Sequence, residues 1–167
     1  MTGPRKITPH LWFDTQAKEA ATFYCSVFPN SKVTHASTIH GTPTPTGDCD
    51  VVSFELNGQP FMAISAGPMF KFNEAISFLI PCETQAEVDY YWDRLSADPQ
   101  SEQCGWVKDK YGLSWQVWPS IIGAMMEKGT PEQLARLTKA MLTMKKLDIA
   151  TLEKAYHGAD PDMKINS

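Results

Sequence analysis

Val51-Val-Ser-Phe-Glu-Leu-Asn-Gly-Gln-Pro-Phe-Met-Ala-Ile-Ser-Ala66 consists of two β-type runs joined by Asn57-Gly58. Asn-Gly readily takes the two left-handed conformations of a type I′ turn, whose twist matches that of paired strands. The stretch therefore predicts an antiparallel hairpin of Val51–Leu56 with Pro60–Ala66. Upstream, Gly41-Thr-Pro-Thr-Pro-Thr-Gly47 reads as a loop and Lys32–His40 as a β-type run. Pro29-Asn-Ser31 closes a helix in which Ala17, Ala20, Ala21, Tyr24 and Phe28 fall on one stripe, and Ile7–Phe13 is a short apolar strand ending at Asp14. The order is strand, helix, then three strands.

Downstream the pattern returns. Ala75–Ile80 reads as a strand, and Thr84 with Glu87 forms a capping-box signal before a helix whose buried stripe is Val88, Tyr91, Trp92 and Leu95. Trp106–Asp109 and Leu113–Trp118 flank Tyr111-Gly112 as a second hairpin, closed by Pro119, so this copy reads as one strand short. Beyond Pro119 the period becomes helical. Thr130-Pro-Glu-Gln133 supplies an N-cap, a proline at the first helical position and a capping-box glutamine. Leu134, Leu137, Met141 and Met144 then recur on one face, and Asp148 caps a further helix through Leu152, Ala155 and Tyr156 that ends at Gly158. The stripe of this helical hairpin can cover its own chain or a second subunit; periodicity does not choose between them.

The chain has 167 residues, 43% of them apolar, enough for a real core, and a net charge of −4. Lys and Arg are scattered, which argues against nucleic acid or an anionic membrane surface as partner. No stretch approaches the ~18 apolar residues of a spanning helix and no apolar leader follows Met1, so a cytoplasmic protein is expected. Cys25, Cys49, Cys82 and Cys104 are widely spaced and lack zinc-type partners, which fits free thiols that pack as small hydrophobes. No G-x-S-x-G elbow is present, and His10, His35, His40 and His157 lie far from any signature nucleophile.

Pro9-His-Leu-Trp-Phe-Asp14, Ala20-Ala-Thr-Phe-Tyr24, Phe28-Pro-Asn-Ser31, Cys104-Gly-Trp-Val-Lys-Asp109 and Tyr111-Gly-Leu-Ser-Trp-Gln-Val-Trp-Pro119 together resemble the PhnB-like branch of the vicinal oxygen chelate (glyoxalase/bleomycin-resistance/dioxygenase) superfamily. Met141-Leu-Thr-Met-Lys-Lys-Leu-Asp-Ile149 resembles that branch's C-terminal extension. The resemblance implies an α+β fold of paired βαβββ modules at residues 5–67 and 72–119, together a 5–119 domain, and a helical extension at 120–158 used for homodimerisation. It further implies sheets curled into a cup that holds a small molecule and, in catalytic members, a divalent metal.

Superfamily metal ligands come from the first and last strand of each module. Here those slots fall on Thr8 or His10, on Ser65 or Ala66, on Ala75 with Asn73 and Glu74 just upstream, and on Gln116. Only His10 and Gln116 can ligate, too few for a catalytic zinc-type site or an oxygen-rich cation shell. No tightly bound metal is expected; if one binds, His10 and Gln116 hold it, with Glu55 or Glu74 completing the set after a register shift. In the pattern the resemblance implies, Gln116 faces the cup, with His10 and Trp12 likewise inward; alternation then sets Ser114 and Trp118 on the face of Gln116 and turns Trp115 and Val117 toward helices. The pocket candidates are His10, Trp12, Ser65, Ser77, Ser114, Gln116 and Trp118, with the 41–50 loop placed as a flap. Alternatives are a metal-dependent lyase, isomerase or dioxygenase, and a structural or interaction dimer. Some members carry a ubiquinone methyltransferase label, but Gly41 and Gly47 bracket Thr-Pro repeats, a poor cofactor cradle because proline offers no N–H.

Overall fold

The computed structural model describes residues 7–158, so residues 5 and 6 of the expected domain lie outside the described residues. The chain divides into two compact units that meet between Phe72 and Asn73.

In the first unit, β1 (His10–Phe13), α1 (Ala17–Val27), β2 (Lys32–His40), β3 (Asp48–Leu56) and β4 (Gln59–Ser65) follow in order. They build a four-stranded sheet of order β1-β4-β3-β2, with β1 parallel to β4 and the other pairs antiparallel. The β3–β4 turn forms as expected, with Asn57 and Gly58 at φ 46° and 76°. Buried Ala17, Ala20 and Ala21 let α1 lie close against the sheet, and Tyr24 and Phe54 stack in the core. Gln16, at the start of α1, makes no capping bond of its own. The buried hydroxyl of Ser65 instead accepts from the Ala17 amide at 2.9 Å.

The second unit repeats the plan with one strand fewer. β5 (Ser77–Cys82), α2 (Gln85–Leu95), β6 (Trp106–Lys108) and β7 (Ser114–Pro119) give a three-stranded sheet of order β5-β7-β6, in which β5 and β7 are parallel. Thr84 caps α2 by accepting from the Glu87 amide, while the Glu87 carboxylate accepts from the Glu83 amide, one residue before the position a capping box predicts. Asp109 anchors the β6–β7 hairpin. Its buried carboxylate accepts from the amides of Tyr111 and Leu113 and from the Trp115 indole.

Three helices follow, α3 (Ile121–Lys128), α4 (Pro131–Leu142) and α5 (Ile149–His157). The capping box at Thr130 and Gln133 closes in both directions, and Asp148 caps α5. Ile122, Met125, Leu137, Leu147, Leu152 and Tyr156 form one buried cluster, against which Leu134, Met141, Met144 and Trp118 pack. The apolar stripe of α4 thus packs against its own unit, Leu137 fully buried and Leu134, Met141 and, just beyond the helix, Met144 in part. The segment before α5 lies beside the strand-short sheet: the amides of Cys104 and Gly105 donate to the carbonyls of Met144 and Lys145 at 2.9 and 2.8 Å. Gln85 on α2 clamps the same segment, donating to the Leu147 carbonyl and accepting from the Ile149 amide.

Candidate functional site

In each unit a helix covers one face of the sheet, and the other face carries the remaining candidates. On the first sheet, Leu11, Phe13, Val52, Phe54, Phe61 and Ala63 are buried toward α1. His10, Trp12, Met62, Ile64, Val51 and Ser53 alternate with them and form the open face. The registers align His10, Met62, Ser53 and His35 in one row across the strands, and Trp12, Ile64, Val51 and Ser37 in the next. Trp12 is fixed at both ends of its ring system: the indole donates to the Gly67 carbonyl at 2.9 Å, and the ring meets Phe70 edge-on with centroids 4.9 Å apart.

The 41–47 loop folds back on this face. Thr42 and Thr44 hydroxyls meet at 2.9 Å, Thr42 lies 3.4 Å from the Cys49 sulfur, and Pro45 packs so near Gly67 that a Cβ there would stand 3.1 Å from Pro45 Cδ. The loop thereby lies beside the carbonyl that holds Trp12.

On the second sheet, Trp115 and Val117 are buried on the helix side, as alternation predicts. Ser77 and Leu79 on β5, Ser114, Gln116 and Trp118 on β7, and Trp106 and Lys108 on β6 share the other face. Gln116 is half-buried, and its amide nitrogen donates to the Ser77 hydroxyl at 2.8 Å, so the two are held as a pair with Trp106 opposite Gln116 in register. Lys108 forms an ion pair with Glu74. The pairing pulls the Glu74 carboxyl below its ordinary value, chiefly through the Lys108 hydrogen bond, and raises the Lys108 ammonium.

Three candidates differ from the sequence expectation. Ser65 lies in phase with Phe61 and Ala63, facing α1, where it holds the helix start rather than a pocket. Ser114 shares the open face of its sheet but is only 1% exposed, so its hydroxyl is not offered to a ligand. Trp118 packs partly against the helical cluster of the tail and is to that extent core. Trp106 is not among the pocket candidates read from the sequence; its register opposite Gln116 places it on this face.

The donor set does not fit a chelated metal. Among the described residues no group of three or more His, Cys, Asp or Glu side chains converges. His10 is one imidazole, the Gln116 amide is already engaged with Ser77, the Glu74 carboxylate is neutralised by Lys108, and Ser65 faces the wrong side of its sheet. The cysteines add nothing: all are free, and burial pushes the Cys82 thiol up to about 12, far from a ligating thiolate.

The two sheets with their helices make an α+β fold of the glyoxalase type. A family model described as 3-demethylubiquinone-9 3-methyltransferase matches residues 5–118, and the chain belongs to that PhnB-like family. A PhnB protein from Bacillus cereus, which bears the same methyltransferase description, is 35% identical; 67% of this chain and 97% of that one are covered, with a TM-score of 0.56. A protein from Staphylococcus aureus is 26% identical, covering 69% of this chain and 96% of that one with a TM-score of 0.32. One from Pseudomonas aeruginosa is 17% identical over 67% and 95%, with a TM-score of 0.47. No functionally curated protein matches the chain. The family match ends at Trp118, so α3–α5 lie beyond it, whereas the sequence resemblance extended to Ile149.

Proposed function

We propose that this PhnB-like protein binds a small polar or aromatic molecule against an open sheet face, through side chains and without a tightly bound metal. The observation that carries the reading is the Gln116–Ser77 pair, a fixed amide on an open face with an indole, Trp106, in register beside it. Aromatic surface with one or two oriented polar groups is the composition of small-molecule sites. His10 and Trp12 offer the same combination on the first sheet, with Trp12 already fixed by Gly67 and Phe70.

Methyl transfer, which the family description names, has no support in the loops. A cofactor cradle needs glycines between a strand and the following helix so that amides can approach the ligand. Here the β1–α1 connection is Asp14-Thr15-Gln16 and the β5–α2 connection is Glu83-Thr84.

The test is thermal melting of the full chain against a broad panel of metabolites and antibiotics. A ligand at about 100 times its Kd adds roughly 2.7 kcal/mol, or roughly 5–10 °C in Tm for a chain of this size. A hit is expected, and Gln116→Ala or His10→Ala should abolish its shift while leaving the unliganded Tm nearly unchanged. A panel without any shift, or a hit indifferent to both substitutions, contradicts the proposal.

A further inference from the structure

We propose, resting on the binding function above, that the ligand of the second sheet is a small aryl monocarboxylate whose carboxylate takes the place of Glu74 on Lys108.

The strand registers sort the open face of this sheet into two rows. Leu79, Gln116 and Trp106 form one, and Ser77, Ser114 and Lys108 form the next. The first row is apolar apart from one amide, and its Leu79 is 49% exposed. The second row ends in a cation. Rows two residues apart along a strand lie about 6.6 Å from each other, the reach of one aromatic ring with its carboxylate.

This face offers a ligand chiefly hydrogen-bond donors. The Gln116 amide nitrogen donates to the Ser77 hydroxyl at 2.8 Å. That bond leaves the Ser77 hydroxyl proton and the second amide N–H to donate elsewhere. With the Lys108 ammonium beside them, these donors suit an acceptor-rich, negatively charged group.

Glu74 supplies such a group from within the chain. It pairs with Lys108 from the segment before β5, so the ion pair spans β7. Its two halves are held unequally: the Lys108 side chain is 25% exposed and that of Glu74 60%. Ion pairs this open contribute little stability. A ligand carboxylate that also accepts from Ser77 and Gln116, on a molecule whose ring lies against Trp106, therefore displaces Glu74. Asp98 limits the charge. Held by the Ser101 hydroxyl and the Gln100 amide, its carboxylate acts on both Lys108 and Glu74 and opposes a second negative charge, which selects against phosphates and dicarboxylates.

Heteronuclear NMR titration of the full chain with benzoate, phenylacetate and phenylpropionate, each beside its primary amide, is the test. The acids are expected to shift the Trp106 indole and Gln116 side-chain signals and to bind roughly tenfold tighter than their amides. Glu74→Gln should tighten the acids severalfold by removing the internal competitor, and Lys108→Met should erase the preference for acid over amide. Amides that bind as well as the acids overturn the carboxylate assignment while leaving the open-face reading standing. Acids that shift neither Trp106 nor Gln116 at millimolar concentration also overturn it, and the melting panel then judges the open-face reading separately. Should Lys108→Met fail to fold, Glu74→Gln decides: an acid affinity that is unchanged or weaker overturns the proposal.

Discussion

The hydroxyl of Ser65 stands 2.9 Å from the Ala17 amide, giving α1 the cap that Gln16 does not supply. Ser65→Ala should cost about 1 kcal/mol, the usual worth of an N-terminal cap, read as a lower urea midpoint at constant slope. Asp50 makes a different statement. Its carboxylate lies 2.8 Å from the Lys18 ammonium of α1 and accepts from the Thr38 hydroxyl of β2 at 2.6 Å, and these two hold its pKa below the ordinary carboxylate value. A carboxyl depressed in the folded state contributes stability that is present above its unfolded pKa of ~3.9 and is lost as pH falls through the lower folded value. Asp50→Asn should therefore flatten the acid limb of stability below about pH 4 and leave the pH dependence above pH 6 unchanged, as followed by urea unfolding at a series of pH values. The family resemblance set Gln116 inward, and alternation then carried Ser114 and Trp118 to the same face and turned Trp115 and Val117 away from it. Ser65 became a candidate through the family's ligand slot on Pro60–Ala66; both faces of that run are apolar, so alternation alone does not show which one meets the helix.

At the scale of elements, local backbone chemistry was the legible part. Asn57-Gly58 and the Thr130 capping box each act within a few residues, and both formed as read. The association of Cys104 and Gly105 with Met144 and Lys145 was not legible, since it is made by backbone groups about 40 residues apart with no side-chain signature. Gly105 is the sensitive point of this contact. At φ 82°, a Cβ there would stand 2.8 Å from the Val117 carbonyl and 2.9 Å from Leu147 Cδ1. Gly105→Ala should destabilise the chain by about 1–3 kcal/mol through backbone strain and this clash. Hydrogen exchange should show lost protection at Cys104 and Val117, whose amides bond to Met144 and Gly105. Unchanged protection there would mean that the segment before α5 contributes little to holding the strand-short sheet.

For the whole molecule, the element order showed two strand–helix–strand copies, the second one strand shorter, and the family resemblance supplied the fold. The faces of the two sheets divide the work: one side of each packs on a helix, and the other keeps the polar and aromatic groups that the fold does not consume. None of the described helices is long and apolar enough to cross a membrane. On this account, recognition rests on amide, hydroxyl, imidazole and indole groups rather than on a chelated cation. The measurement that bears on it most directly is the metal content, by mass spectrometry, of untagged protein offered manganese, iron, nickel and zinc and then freed of loosely held ions. The account predicts far less than stoichiometric metal and no change on His10→Ala with Gln116→Ala. A stoichiometric metal that the double substitution removes would contradict it.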